Sequence, residues 1–128
     1  MASQENRPVA GGWPLALAAD LAGVLAFAAM GRRSHDEGLT LAGVLQTAWP
    51  FLTGTLVGWL AAQGWRRPAA LRPTGVVVWL CTVVVGMALR KATSAGTAAS
   101  FVAVATLVTA ALLLGWRAVA GRRSGRRS

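Results

Sequence analysis

Residues 13–31 read WPLALAADLAGVLAFAAMG, an apolar run broken once, by the carboxylate of Asp20. At about 1.5 Å per helical residue the run covers about 28 Å, close to the roughly 30 Å of a bilayer's hydrocarbon core. A secretory signal peptide would also place a basic residue, Arg7, ahead of an apolar run and a small-residue site such as Ala26-Phe27-Ala28 near its end. The full spanning length and the acid in its middle favour a retained helix instead. A carboxylate at that depth costs about 2.5–3.5 kcal/mol on insertion scales, so Asp20 is expected to face protein rather than lipid.

Working outward, three more apolar blocks follow, at residues 39–62, 75–91 and 97–118. The third is the shortest. Its apolar part, 75–89, gives only about 22 Å, so its helix is expected to run past Arg90 and Lys91, whose long stems can snorkel to the interface. What remains is a short polar tail, 1–12, with Pro8 and a Gly11-Gly12 pair, and a basic tail, 119–128. The expected fold class is therefore all-α: an integral membrane four-helix bundle over residues 13–118. Composition agrees, with 55% hydrophobic and 13% charged residues, too apolar for an ordinary soluble domain.

The net charge of +9 would suggest nucleic acid in a soluble protein, but here the basic residues flank apolar blocks and read as topology and phospholipid contact. Nine Lys and Arg fall on the side of the two termini and the second loop, against four on the other side, which predicts a cell-membrane protein with both termini cytoplasmic. Trp13, Trp59, Trp65 and Trp116 fall at the same predicted boundary, as an aromatic belt would. The Arg117–Arg127 run reads as an inner-leaflet anchor, and no nucleic-acid partner is expected.

The two halves match at a nearly fixed offset. Arg32-Arg33 and Gly38 recur as Arg90-Lys91 and Gly96, 58 residues on, and Leu56-Val57-Gly58-Trp59 recurs as Leu113-Leu114-Gly115-Trp116, 57 residues on. Two spans per copy would make two parallel-repeat hairpins, although apolar low-complexity sequence also produces such matches by chance.

Asp20 is the most informative residue. Counting inward from the helix ends places it about 10 Å from the boundary, with Thr55, Cys81, Thr82 and Thr109 near the same depth, where their hydroxyls could hydrogen-bond it. Such a carboxyl either takes up and releases protons for a coupled carrier or fixes helix packing through a hydrogen bond. Pro50 in the middle of the second helix frees the carbonyl of Gln46, so these two join the candidate intramembrane polar site. On the opposite face, Arg32, His35, Asp36 and Arg90 could receive an anionic group, or be a solvated loop with topology-setting charges. Gly54 and Gly58 form a small-residue stripe that lets another helix approach, within the bundle or across a dimer.

Ser34, His35 and Asp36 are consecutive, and consecutive side chains diverge, so they make no catalytic triad. There is no nucleophile–base pair and no glycine-rich phosphate loop. One histidine with one cysteine, Cys81, cannot build an ordinary zinc site. No enzyme activity, metal or cofactor is expected.

The string Asp20, Gly31-Arg32, Ser34-His35, Ala48-Trp49-Pro50-Phe51, Gly54, Gly58-Trp59, Trp79, Gly86-Met87, Arg90 and Gly115-Trp116-Arg117 resembles domain-of-unknown-function family 3054, small membrane proteins of bacteria and archaea. Its most specific pieces are Gly-Arg-x-Ser-His and Trp-Pro-Phe, which apolar composition alone would not generate. The resemblance implies a multi-spanning membrane fold and brings no activity or binding residues. Two roles stay open on the residues. One is a small proton-coupled carrier or pore for a polar or anionic solute; the other is a non-catalytic subunit or assembly factor. Beyond the lipid bilayer, the expected partners are a second copy or a larger membrane complex.

Overall fold

The protein is seen in a computed structural model that describes residues 12–34, 40–93 and 99–127. Four helices account for nearly all of it. Helix α1 (Trp13–Ser34) opens with Pro14 in its first turn, where a missing N–H costs nothing. Helix α2 (Leu41–Ala62) is capped by Thr40, whose hydroxyl accepts from the Gly43 amide at 3.0 Å. It ends at Gln63, which adopts the left-handed conformation (φ 51°), and the Gly64 amide then closes on the carbonyl of Trp59.

A turn (Leu71–Gly75), with Arg72 extended (φ −121°, ψ 132°) and the Gly75 amide closing on the carbonyl of Ala70 at 2.9 Å, leads into α3 (Val76–Ala92). By length and hydropathy the whole segment from Leu71 to Ala92 could span a membrane, with the extended Arg72 interrupting it near its start and α3 itself giving 17 residues. As expected, the helix runs past Arg90 and Lys91, to Ala92. Helix α4 starts as Ala99–Thr109, passes through a π-helical turn (Ala110–Leu114) and continues as Gly115–Arg127. One turn before that π segment, the indole of Trp79 on α3 donates to the carbonyl of Thr106 at 3.1 Å.

Consecutive helices touch and α4 returns to α1, while the diagonal pairs α1–α3 and α2–α4 stay apart at backbone distance. This is an up-down-up-down bundle. The closest pairing is α2 with α3. Its cause is the glycine stripe, because a Cβ on Gly54 would lie 2.5 Å from the carbonyl oxygen of Cys81, and one on Gly58 would lie 2.7 Å from the Cα of Val78. Gly54 and Gly58 thus lie inside the bundle, buried against α3, and offer no surface to a second protein. A third close approach seats the Phe51 ring on Gly86.

Three helices meet the length and hydropathy expected of a membrane span: residues Trp13–Arg32, Leu71–Ala92 and Ala99–Gly121. Helix α2, at 22 residues, has the length but not the hydropathy. The reason lies in how its residues are distributed. Thr55, Gly54, Gly58 and Pro50 are buried against neighbours, while Leu41, Leu56 and Leu60 point outward, Leu41 with 75% of its surface exposed. Polar and small groups inside and leucines outside suit a helix that is solvated by lipid.

One half of the interior is filled by three phenylalanine rings. Phe27 meets Phe51 edge-on at 5.3 Å, and Phe101 packs against both at 6.1 Å. Val24, Val78, Leu113, Ala48 and Ala105 complete this dry core.

Candidate functional site

Toward the end of the bundle that carries the 63–70 loop, the interior turns polar. Asp20 on α1 is completely buried, and so is Arg117 on α4. The guanidinium grips the carboxylate in a two-pronged fork, Nη1 to Oδ1 at 2.8 Å and Nη2 to Oδ2 at 2.7 Å. Two indoles complete the set: Trp59 Nε1 donates to Oδ2 at 2.8 Å and Trp116 Nε1 to Oδ1 at 2.9 Å. Each carboxylate oxygen therefore accepts two N–H groups, which fills its lone pairs.

Burying two charges this way is tolerable only when the pair is well aligned and its remaining donors are satisfied. Arg117 meets both conditions. Its Nε donates to the carbonyl of Pro68 at 3.0 Å and its Nη1 also to the carbonyl of Leu113 at 2.9 Å. The guanidinium carbon lies 4.5 Å from the centre of the Trp116 ring. Space for the arginine stem comes from Gly75, where a Cβ would sit 2.8 Å from Arg117 Cδ. One side chain thus ties together α1, α4 and the loop, with α2 joined through Trp59.

Several sequence expectations are corrected by this geometry. The hydroxyls placed at the depth of Asp20 do not bond it. The hydroxyls of Thr55 and Thr82 lie 2.7 Å apart, and each also has a carbonyl one turn back within reach, at Phe51 and Val78, so that one hydroxyl donates to the other, which donates to its own carbonyl. Thr109 donates to the carbonyl of Ala105 in its own helix. A threonine in a helix reaches its own backbone more readily than a carboxylate on another helix, and the carboxylate already has stronger N–H donors.

Gln46 and Pro50 also lie away from the carboxylate. Pro50 is buried beside the phenylalanine cluster, and Gln46 is exposed on the outside of α2. Arg117, read from the sequence as the start of a lipid anchor, is sealed inside the protein.

At the opposite end, Arg32 donates to the Thr47 hydroxyl at 3.2 Å, and Arg90 lies over the Phe101 ring at 4.3 Å. His35 and Asp36 lie outside the described residues. Among the described residues no group of three or more His, Cys, Asp or Glu could hold a metal ion.

The residues that sequence reasoning missed are Arg117, Trp59 and Trp116 as partners of Asp20. A signal for them existed. A buried carboxylate needs N–H donors, and Gly-Trp at 58–59 and Gly-Trp-Arg at 115–117 are the indole and guanidinium donors nearest to its depth.

In comparison with known proteins, the model of a family described as "Protein of unknown function (DUF3054)" matches residues 17–120, from just before Asp20 to beyond Arg117. No curated protein and no solved structure matches.

Proposed function

The chain belongs to the DUF3054 family, whose function is unknown, and from that premise we propose that it is a small multi-pass membrane carrier whose working part is the Asp20–Arg117 pair. The observation that carries the reading is a fully buried, bidentate ion pair in a bundle of otherwise apolar helices. Intramembrane ion pairs are costly and rare, and they commonly mark solute or proton paths. In this reading an anionic solute competes with Asp20 for the Arg117 fork, while a proton neutralises the carboxylate that is released. The exchange leaves no unpaired charge in the low-dielectric interior at any stage. The phenylalanine cluster is the barrier on the far side. The loop end and both termini face the cytoplasm, as the nine-to-four excess of Lys and Arg on that side supports. No enzymatic step is assigned.

The test is reconstitution into vesicles that hold a pH-sensitive dye, with small inorganic and organic anions offered from outside. Solute-dependent proton movement is expected for the wild type and should be lost in Asp20→Asn and in Arg117→Gln. A wild type that moves no protons with any of these anions overturns the carrier.

One observation favours a second reading. Every lone pair of the Asp20 carboxylate is occupied and the rest of the interior is packed, so the pair also suits a fixed clamp in a non-catalytic membrane subunit. That reading expects a stoichiometric partner after gentle detergent extraction. A protein that purifies alone and moves solute rejects it.

A further inference from the structure

Beside the ion pair, the loop end of the bundle holds two adjoining hollows of opposite character. The first is a polar cavity of about 240 Å³ lined by Gln63, Arg66, Arg67, Pro73 and Thr74. Thr74 is only 1% exposed and forms part of the cavity wall. Arg66 is steered there by Gln63, whose side-chain oxygen accepts from its Nη1 at 2.9 Å.

The second hollow is an apolar groove of about 520 Å³ lined by Leu15, Ala16, Ala19, Pro68 and Trp116. Arg67 is a wall of both.

We infer that the two hollows together bind one anionic phospholipid, with its phosphate in the polar cavity and an acyl chain in the groove. The phosphate fits the donor set, since two guanidinium groups and a hydroxyl supply N–H and O–H bonds to an anion and the cavity lining contains no carboxylate. The groove fits a hydrocarbon chain. Its wall on α1 is apolar, made by Leu15, Ala16 and Ala19. Because Trp116 both lines the groove and donates to Asp20, the bound chain rests on a member of the ion-pair network. The inference does not depend on carriage.

The test uses the full chain purified in detergent. Phosphatidylglycerol, phosphatidylcholine and inorganic phosphate are added separately, and binding is read by native mass spectrometry and by the shift in melting temperature. Phosphatidylglycerol is expected to bind roughly tenfold or more tightly than phosphatidylcholine, each arginine near an anionic headgroup contributing to the preference. The double change Arg66→Gln with Arg67→Gln should bring the two lipids close to equal affinity. Thr74→Val should weaken phosphatidylglycerol severalfold, and Ala19→Leu, which fills the groove, should weaken both lipids.

Both arginines and Ala19 are exposed, so these variants keep the wild-type fold, which the melting temperature without lipid checks. Equal affinity of the wild type for the two lipids overturns the inference, as does a preference that survives in the double arginine variant. Protection by inorganic phosphate alone, insensitive to Ala19→Leu, overturns the lipid assignment in favour of a free phosphate site.

Discussion

In the α1–α2 hairpin the guanidinium of Arg32 lies against Gly43, eleven residues on; in the α3–α4 hairpin that of Arg90 lies over Phe101, again eleven residues on. At the loop end the matched tryptophans also act alike, Trp59 donating to one oxygen of Asp20 and Trp116 to the other. The charges break the match. Offset by 58 residues, the place of Asp20 is taken by Val78, in the dry core; offset by 57, the place of Arg117 is taken by Leu60, 69% exposed on the outside. The hairpins are thus alike at some matched positions, and the ion pair, one charge from each hairpin, has no counterpart. The expectation from this comparison is that folding does not need the charge, which directs attention to function.

The largest effect tests that conclusion directly. Asp20→Val and Arg117→Leu install the residues found at the matched places. Either change alone strands a buried charge and is expected to cost about 3–5 kcal/mol of unfolding free energy. The two together should recover most of that loss, because a well-packed apolar pair is close to neutral against a buried ion pair. Denaturant titration in detergent, followed by circular dichroism, measures all three variants. A double variant as unstable as the singles would show that the fold needs its charges, and the comparison between the hairpins would fail. A stable double variant without transport is the outcome that separates fold from function.

The matched glycines come next. Gly58 sits against α3 so closely that a methyl group would meet the Val78 backbone, whereas a Cβ on Gly115 meets nothing within 4 Å. Gly58→Ala should cost about 1–3 kcal/mol through overpacking. Gly115→Ala should be neutral or gain up to about 1 kcal/mol from helix propensity. Equal effects in the same titration would mean that α2–α3 and α4–α1 pack alike, contrary to the asymmetry of the bundle.

Much of the architecture was legible because a bilayer leaves so few options. A run of apolar residues as long as 13–31 has to be a helix there, and the polar residues of 39–62 betray a helix that buries its small and hydroxyl groups among neighbours. The site was legible only in half. Asp20 announces itself as a charge in an apolar run, but its partner lies 97 residues away at the end of another run, where an arginine ordinarily snorkels toward lipid headgroups. Depth counting placed Thr55 and Thr82 at one level, where they do bond each other, yet depth says nothing of azimuth and both turn away from the carboxylate. The third helix is as short as its apolar run suggested, 17 residues, and what the sequence did not show is the turn at Leu71–Gly75, with Arg72 extended, that leads into it.

The tryptophans give the smallest effect and the finest comparison. Trp59 is 4% exposed and Trp116 is half-buried, although their hydrogen bonds to Asp20 have nearly the same length. Trp59→Phe removes a donor where no water can replace it and should cost about 1–1.7 kcal/mol, the upper end of what polar contacts are worth between membrane helices. Trp116→Phe should cost nearer 0.6 kcal/mol, since the groove beside it can admit a substitute donor. Because both indoles hold the same carboxylate, the double variant should lose more than the sum of the singles, a coupling that a double-mutant cycle isolates. Strictly additive losses would mean that each indole acts through its own packing, and the carboxylate would then be held by Arg117 alone.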